Sequence, residues 1–594
     1  MLYSVLADTY QKIEATTKRL EITSLLVDLL KNTPDEDIER VVYLTQGKLG
    51  PDYLGVELGV AEKLAVRALA KATGRDKAEI SSIYKKEGDL GTAVEKLLTG
   101  KSQLYPPAST LTVEEVYSSF EKIAQASGSG STEAKLRQLT ALIGRASPQE
   151  AKYLTRMAVG NLRLGVADMT ILDALATARG GGKESRPTLE RAYNLSSDLG
   201  DVAKTLATKG LRGIETFEAS IGKPIRPMLA ERLSDPGKIL EKMNGEAAAE
   251  YKYDGLRIQA HIGRRGVSLY SRRLENITDQ FPDVRQLLRQ GLGSAEVIVE
   301  GEAVPVDLAT GDLLPFQLIS QRRGRKYDLE KMVEEIPVAV FLFDLLYAGG
   351  RDFTQQPYLE RRRMLQGLVH TSDRLGLSHQ IIAKAPQQLD EFMAQAVADG
   401  CEGVMVKAIG PESFYKAGAR GWNWIKYKRD YKSEMQDAAD LTVVGAFSGR
   451  GRRGGKYGAL LLAAYDEKDD VFRTVCKCGS GFKDEDLEKL PGMLDSQLTP
   501  HRHARVDSKL EADTWFVPGL VLEVIGSEIT LSPIHTCGMN AVRHGAGLAI
   551  RFPRFTGRYR DDKSPEQSTS TKEIIEMYKS QLKHVTETKT AGEL

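Results

Sequence analysis

In the first third of the chain apolar residues recur at spacings of three and four, as around Leu64, Leu69 and Ala72, and no run alternates with period two. Residues 1 to about 215 are therefore predicted to be helix after helix. Thr33-Pro34-Asp35-Glu36 predicts a helix start, with Gly47 as a stop. Ser147-Pro148-Gln149-Glu150 predicts a second start, where Ser and Glu satisfy each other's backbone donors and helix follows over 151–159. Two glycine-containing segments interrupt this pattern: SGSGS at 127–131, before a helix beginning near Thr132, and Gly180-Gly181-Gly182-Lys183, before a loop. Both read as connectors; the alternative is that free amides at a helix start bind a phosphate. Neither is a nucleotide P-loop, because Lys183 is followed by Glu184.

From about Ile221 the texture changes to short β runs separated by helices. Strands are predicted over 249–262, 266–271, 296–306, 338–347, 402–408 and 423–428, which gives a mixed α+β region ending near Asp430. From Leu441, LTVVGAF, GALLLAAY, FRTVCKC and GLVLEVIG are short strands between glycine-rich turns, the pattern of a small β-barrel. A helix over 571–585 follows.

With 594 residues and 41% hydrophobic positions, the chain exceeds what a single core serves. The longest apolar run, 338–346, is too short to span a bilayer, and the N-terminus lacks the pattern of a secretory signal, so a cytoplasmic protein is expected. Cys401, Cys476, Cys478 and Cys537 form no paired C-x-x-C knuckles, which argues against structural zinc and against a disulfide framework. Charge is balanced, 82 Lys+Arg against 81 Asp+Glu, but it is segregated. QRRGRKY at 321–327, GRGRRGGKYG at 449–458, HRHAR at 501–505 and RFPRFTGRYR at 551–560 are basic, while DEKDD and KDEDLE are acidic.

Candidate chemistry centres on Glu250-Tyr251-Lys252-Tyr253-Asp254-Gly255-Leu256-Arg257. It is followed in order by Ser271-Arg272, Glu300-Gly301-Glu302, Phe343-Asp344, Glu402-Gly403-Val404-Met405-Val406-Lys407, Arg420, Trp424-Ile425-Lys426-Tyr427-Lys428 and Arg560-Asp561-Asp562-Lys563. This ordered series resembles the covalent nucleotidyltransferases, and within them the ATP-dependent DNA ligases of the archaeal and eukaryotic replicative type. KLGPDYLGVELGVAEK, SGSGS and NLRLGVADMTILDALA are similar to the DNA-binding domain of those ligases, so the resemblance covers nearly the whole chain.

The resemblance implies a multidomain protein: an all-α DNA-binding domain at 1–218, an α+β nucleotidyltransferase (adenylation) domain at 219–432, a β-barrel OB-fold domain with a C-terminal helix at 433–585, and a flexible tail at 586–594. It implies sealing of nicks in double-stranded DNA, in replication, repair and recombination, with ATP and Mg²⁺ (or Mn²⁺) as cofactors. The enzyme would act as a monomer with a sliding clamp as partner; GKSQLYPP at 100–107 lies where related ligases dock one, without a clamp-binding pattern of its own. Whether ADP or NAD can replace ATP stays open.

By resemblance Lys252 is the nucleophile that carries AMP. Glu250 contacts the adenine edge, Phe343 stacks on the base, Glu302 binds the ribose, and Arg257, Arg272 and Arg420 hold nucleotide and phosphate. Glu402, with Glu302, is the metal-side carboxylate, and Lys563 orients the leaving pyrophosphate. A lysine of ordinary pKa is neutral to only about 0.04% at pH 7, so Lys252 needs activation by a nearby cation or by partial desolvation, with Lys426, Lys428 and bound metal as the candidate cations. Alternation puts those two lysines on one face of a strand, about 7 Å apart, where they can neutralise charge on an α-phosphate. Glu300 is expected to be an unpaired surface residue. The competing activities are RNA ligation or capping by the same covalent chemistry, and a DNA-binding scaffold with a silent nucleotide site.

Overall fold

The computed structural model describes residues 1–99, 111–306, 308, 313–314, 316–320, 322, 329–428, 437–449, 456–526, 528–532, 534–542, 544–551 and 553–590. The clamp segment 100–107, most of the basic runs at 321–327 and 449–458, and the last four residues of the tail lie outside the described residues. The chain divides into two compact units: Met1–Gly74 with Leu97–Arg429, and Arg75–Lys96 with Asp430–Leu594.

The first unit opens with helices from Tyr3–Glu14 to Leu199–Glu215, except that Lys77–Glu87 and most of Leu90–Thr99 fall in the second unit. Ser147 and Glu150 cap the helix Pro148–Ala158 reciprocally, at 2.8 and 3.2 Å. Helix Ile38–Thr45 stops at Gly47, whose φ of +71° suits glycine. Its start is four residues later than the sequence suggests. The Thr33 hydroxyl turns back to donate to Leu29 O of the preceding helix (2.8 Å), so it cannot cap the next one, and Pro34–Asp37 form a turn instead. Gly180–Gly182 likewise lead not into a loop but into a 3₁₀ turn, Lys183–Ser185, and the helix Arg186–Ser196. The final helical run is interrupted at Gly210 (φ +64°).

Two sheets follow in the same unit. Their strands are β1 (Leu229–Arg232), β2 (Ala247–Lys252), β3 (Leu256–Gly263), β4 (Gly266–Ser271), β5 (Val297–Pro305), β6 (Val338–Ala348), β7 (Arg351–Asp352), β8 (Leu375–Leu377), β9 (Gln380–Ala383), β10 (Gly403–Ala408) and β11 (Arg420–Lys428). One sheet has the order β1-β11-β10-β2-β9; the other runs β4-β3-β5-β6-β7, with β8 on β6. The run 249–262, read as a single strand, is divided between the two sheets as β2 and β3. The cause is the turn at Tyr253–Gly255: a Cβ on Gly255 would stand 2.5 Å from Ala303 O of β5, so the chain passes against that strand and is redirected. Between the sheets pack Ile298, Leu346, Tyr415 and Trp424, with Phe343 and Met405 at the margin. This apolar layer fixes the spacing of the two faces that carry the motif residues.

The second unit carries β12 (Ala439–Ser448), β13 (Tyr457–Asp466), β14 (Val471–Cys478), β15 (Leu498–Thr499), β16 (Val506–Asp507), β17 (Thr514–Phe516), β18 (Val521–Ile525), β19 (Glu528–Ser532), β20 (Gly547–Arg551) and β21 (Arg554–Tyr559). β12 pairs with β18 through Ala439–Thr442 and with β17 through Gly445 and Ala446, its register shifting against β13 between Val443 and Gly445. One strand thus serves two partners along one edge, and the sheet curls. Ile574 of the helix Thr571–Thr590 joins the core formed by Leu441, Leu462, Phe516 and Leu548. All four cysteines are buried and free. Among the described residues no helix is long and apolar enough to cross a membrane.

Candidate active site

β10 lies between β2 and β11, antiparallel to both, and the registers align the motifs. Gly403 is opposite both Lys252 and Lys428; Met405 is opposite Glu250 and Lys426; Lys407 is opposite Ala248 and Trp424. Directly opposed residues point to one side of a sheet, so the E-x-K of β2 and the K-x-K of β11 share a face. Gly403 has φ +146°, and a Cβ there would meet Tyr427 O at 2.6 Å. No side chain can therefore stand between Lys252 and Lys428. Glu402 fills that place from the mouth of β10: its N–H donates to Lys252 O (2.9 Å), and its carboxylate accepts from both Lys252 and Lys428.

Charge is crowded here. Burial pushes the Glu402 carboxyl up, but Lys252 and Lys428 outweigh it and hold the group below its ordinary value. Burial, then the negative charge of Glu402, raises Asp254. Burial raises Glu302 to about 7, with the charges of Lys252 and Arg257 opposing and those of Glu402 and Asp254 adding. Lys426 is lowered by burial and by the cations Lys428, Arg420, Lys252 and Arg232. A lysine-rich face for an anion thus lies beside a set of carboxylates that resist full ionisation together, a condition that a hard cation relieves. Among the described residues no group of three or more His, Cys, Asp or Glu side chains is arranged as a ready-made metal cage.

The second sheet supplies Arg257, Glu302 and Phe343. Arg257 on β3 is opposite Glu302 on β5, and it donates to Glu300 (2.9 Å) and to Met228 O (3.1 Å). The register of β5 on β6 passes from Glu300↔Asp344 to Gly301↔Leu342, which leaves Phe343 as the extra residue of a bulge. Its half-buried ring lies edge-on to Trp424 (6.1 Å), with Arg257 at 5.5 Å and Lys407 at 5.0 Å from its centre. Asp344, next in the motif, is fully buried in a two-point pair with Arg361 (2.7 and 3.0 Å).

Glu300 is not a surface residue: it is 0% exposed and accepts from Arg257 and from the Tyr415 hydroxyl (2.8 Å). β5 is flanked by β3 and β6 and covered on both sides, so polar alternation along it marks a buried network rather than a wet face. Arg272, just after β4, and Arg420, at the start of β11, are exposed. Glu250 is 2% exposed, held by Lys407 (2.7 Å), Gln380 (3.2 Å) and Tyr358. Lys563 belongs to the second unit, where it pairs with Asp440 (2.7 Å), as does Arg560.

Sequence reasoning passed over Lys407 and Trp424, although both stand inside quoted motifs at the same alternation as the lysines. Tyr358, Gln380 and Tyr415 carry no such signal, because each reaches the site from a separate element.

Residues 2–176 match the family model for the DNA ligase N terminus, 227–428 the ATP dependent DNA ligase domain, and 453–563 the ATP dependent DNA ligase C terminal region. DNA ligase 2 of Thermofilum pendens is 56% identical over 589 residues, 98% of each chain. The chain belongs to the ATP-dependent DNA ligases. DNA ligase of Staphylothermus marinus is 50% identical, covering 99% of this ligase and 100% of the relative. A solved structure, Pmar-Lig_Pre, shares the fold at 18% identity and a TM-score of 0.52, over 93% of this chain and 99% of that one. DNA ligases of this kind use ATP and a divalent metal, and the face around Lys252, with lysines on one side and carboxylates on the other, fits both.

Proposed function

We propose that this ligase seals nicks in duplex DNA through a lysyl-AMP formed on Lys252. The carrying observation is that Lys252 and Lys428 flank Gly403 in register, with Glu402 shared between their ammonium groups. Lys252 attacks as the free amine, its proton passing to water, and Lys426 and Lys428 lie on the same face of the sheet. Its Nζ then attacks the α-phosphorus of ATP, forming a P–N bond as the bond to pyrophosphate breaks. The same two lysines offset the charge that gathers on the α-phosphate oxygens. An oxygen of the 5′-phosphate at the nick next displaces Lys252 from the AMP phosphorus, and the amine takes back a proton. Finally the 3′-hydroxyl gives up its proton to water as its oxygen attacks the 5′-phosphorus, and AMP leaves with the electron pair of the anhydride bond.

In this reading Phe343 stacks on adenine, Glu250 meets its edge, and Glu302 meets the ribose. Arg257, Arg272 and Arg420 hold phosphate, a task suited to a planar and permanently charged fork. Lys563 is assigned to the departing pyrophosphate. Glu402 and Glu302 would hold Mg²⁺ or Mn²⁺, which keeps most of its waters and adds positive charge at the phosphate oxygens. The helical residues 1–218 are assigned to DNA binding, 219–432 to adenylation, and 433–585 to an OB-fold.

The test supplies the purified chain with ATP, ADP or NAD and with a nicked DNA or a nicked RNA duplex. Sealing of nicked DNA with ATP is expected. Sealing confined to RNA would replace the proposal with RNA ligation, and binding without sealing would replace it with a scaffold.

A further inference from the structure

The carboxylate of Glu250 is almost fully committed. Oε1 accepts from the Tyr358 hydroxyl and from the Gln380 amide (3.2 Å), while Oε2 accepts from the Lys407 ammonium (2.7 Å). The Gln380 amide also donates to the Tyr358 oxygen (2.5 Å), which leaves the hydroxyl proton only Glu250 to bond. Burial, then the neighbouring Glu250 charge, holds the Tyr358 hydroxyl well above its ordinary value, so it stays a donor. Each carboxylate oxygen takes two hydrogen bonds; Oε1 is full, and Oε2 keeps one acceptor position. Lys407 is itself anchored at Phe343 O (3.0 Å) and lies against the rings of Phe343, Tyr358 and Trp424. The remaining acceptor is therefore fixed relative to the Phe343 bulge.

We propose that Tyr358 and Gln380 are positioning residues that fill one oxygen of Glu250 and aim the other, so that the site selects a purine bearing a 6-amino group. Such a group has an N–H to give the single free acceptor, and a purine without it leaves that acceptor unpaired and buried. The inference rests on Glu250 meeting the base edge. Neither Tyr358 nor Gln380 touches the substrate; each acts through Glu250.

The experiment measures formation of the covalent adduct on the full chain with ATP and with purine riboside triphosphate, which lacks only the amino group. Tyr358→Phe should raise KM for ATP and narrow the preference for ATP about tenfold, the scale of a lost hydrogen bond to a charged acceptor, while the rate with purine riboside triphosphate stays level. Gln380→Leu, at a half-buried position, should move the ratio the same way and carries the test if the tyrosine variant does not fold. Glu250→Gln is the reference. If it leaves the ratio unchanged, Glu250 does not meet the base and both ideas fall. If it shifts the ratio while Tyr358→Phe and Gln380→Leu do not, only the positioning role is overturned. Equal losses with both nucleotides would likewise reduce Tyr358 to a structural residue.

Discussion

Of the carboxylates that each hold two basic side chains, Glu402 and Asp440 do so in contrasting settings. Glu402 bridges Lys252 and Lys428 with 28% of its side chain exposed, and it shares its surroundings with Asp254 and Glu302, which its charge helps to raise. Asp440 bridges Arg560 and Lys563 with only 10% exposed, and its backbone is tied to Thr569 by two further hydrogen bonds of 2.8 and 2.9 Å. The first cluster has surplus charge of both signs and access to solvent. The second is locked on both sides of one residue. Alike as ion-pair motifs, they differ in what removing the acid should do: the first should lose chemistry, the second stability.

The largest expected effect is that of Lys252→Ala, which removes the attacking amine and should lower adduct formation and sealing by at least about 10⁴-fold, read as initial rates. Lys563→Ala removes the lysine assigned to the departing pyrophosphate and should slow adduct formation in the same assay, though less than Lys252→Ala; unchanged adduct formation would overturn that assignment. Glu402→Gln should reduce adduct formation about 10²-fold while moving the denaturation midpoint little, since its partners reach water. Asp440→Asn should do the reverse, costing about 1 kcal/mol in denaturant unfolding, because Lys563 loses its partner while Arg560 keeps Asp562. If Glu402→Gln proves the more destabilising of these two substitutions, the contrast fails.

The smallest effect concerns acid. Among the described residues each unit buries one neutral histidine: burial lowers His261 on β3 to about 3 and His535 to about 4, from an ordinary 6.5. Unfolding lets each bind a proton at the ordinary value, so the stability they represent is complete above pH 6.5 and is lost as pH falls towards 3 and 4 respectively. His261→Gln should flatten the pH dependence of unfolding in that window, and an unchanged slope would show that other groups carry it.

Much of this arrangement was legible in the sequence. Local signals, such as the Ser147–Glu150 cap and the stop at Gly47, need only neighbouring residues. The period-two alternation around Lys426 and Lys428 likewise foretold a shared face. What the sequence hid depends on long-range pairing. The division of 249–262 between two sheets follows from the approach of Gly255 to β5, and the burial of Glu300 follows from β5 having a strand on each side. The Thr33 hydroxyl could cap one helix or close another, and only packing decides between them. Tyr358 and Gln380 approach Glu250 from 108 and 130 residues away, so no spacing rule reveals them.

The central claim is that Lys252 is the residue that carries AMP. Incubating the protein with ATP and a divalent cation, digesting it, and mapping the adduct by mass spectrometry tests this directly. The account predicts AMP on the peptide containing Lys252, discharged when nicked duplex DNA is added. AMP on any other lysine, or an adduct that persists in Lys252→Ala, would contradict it.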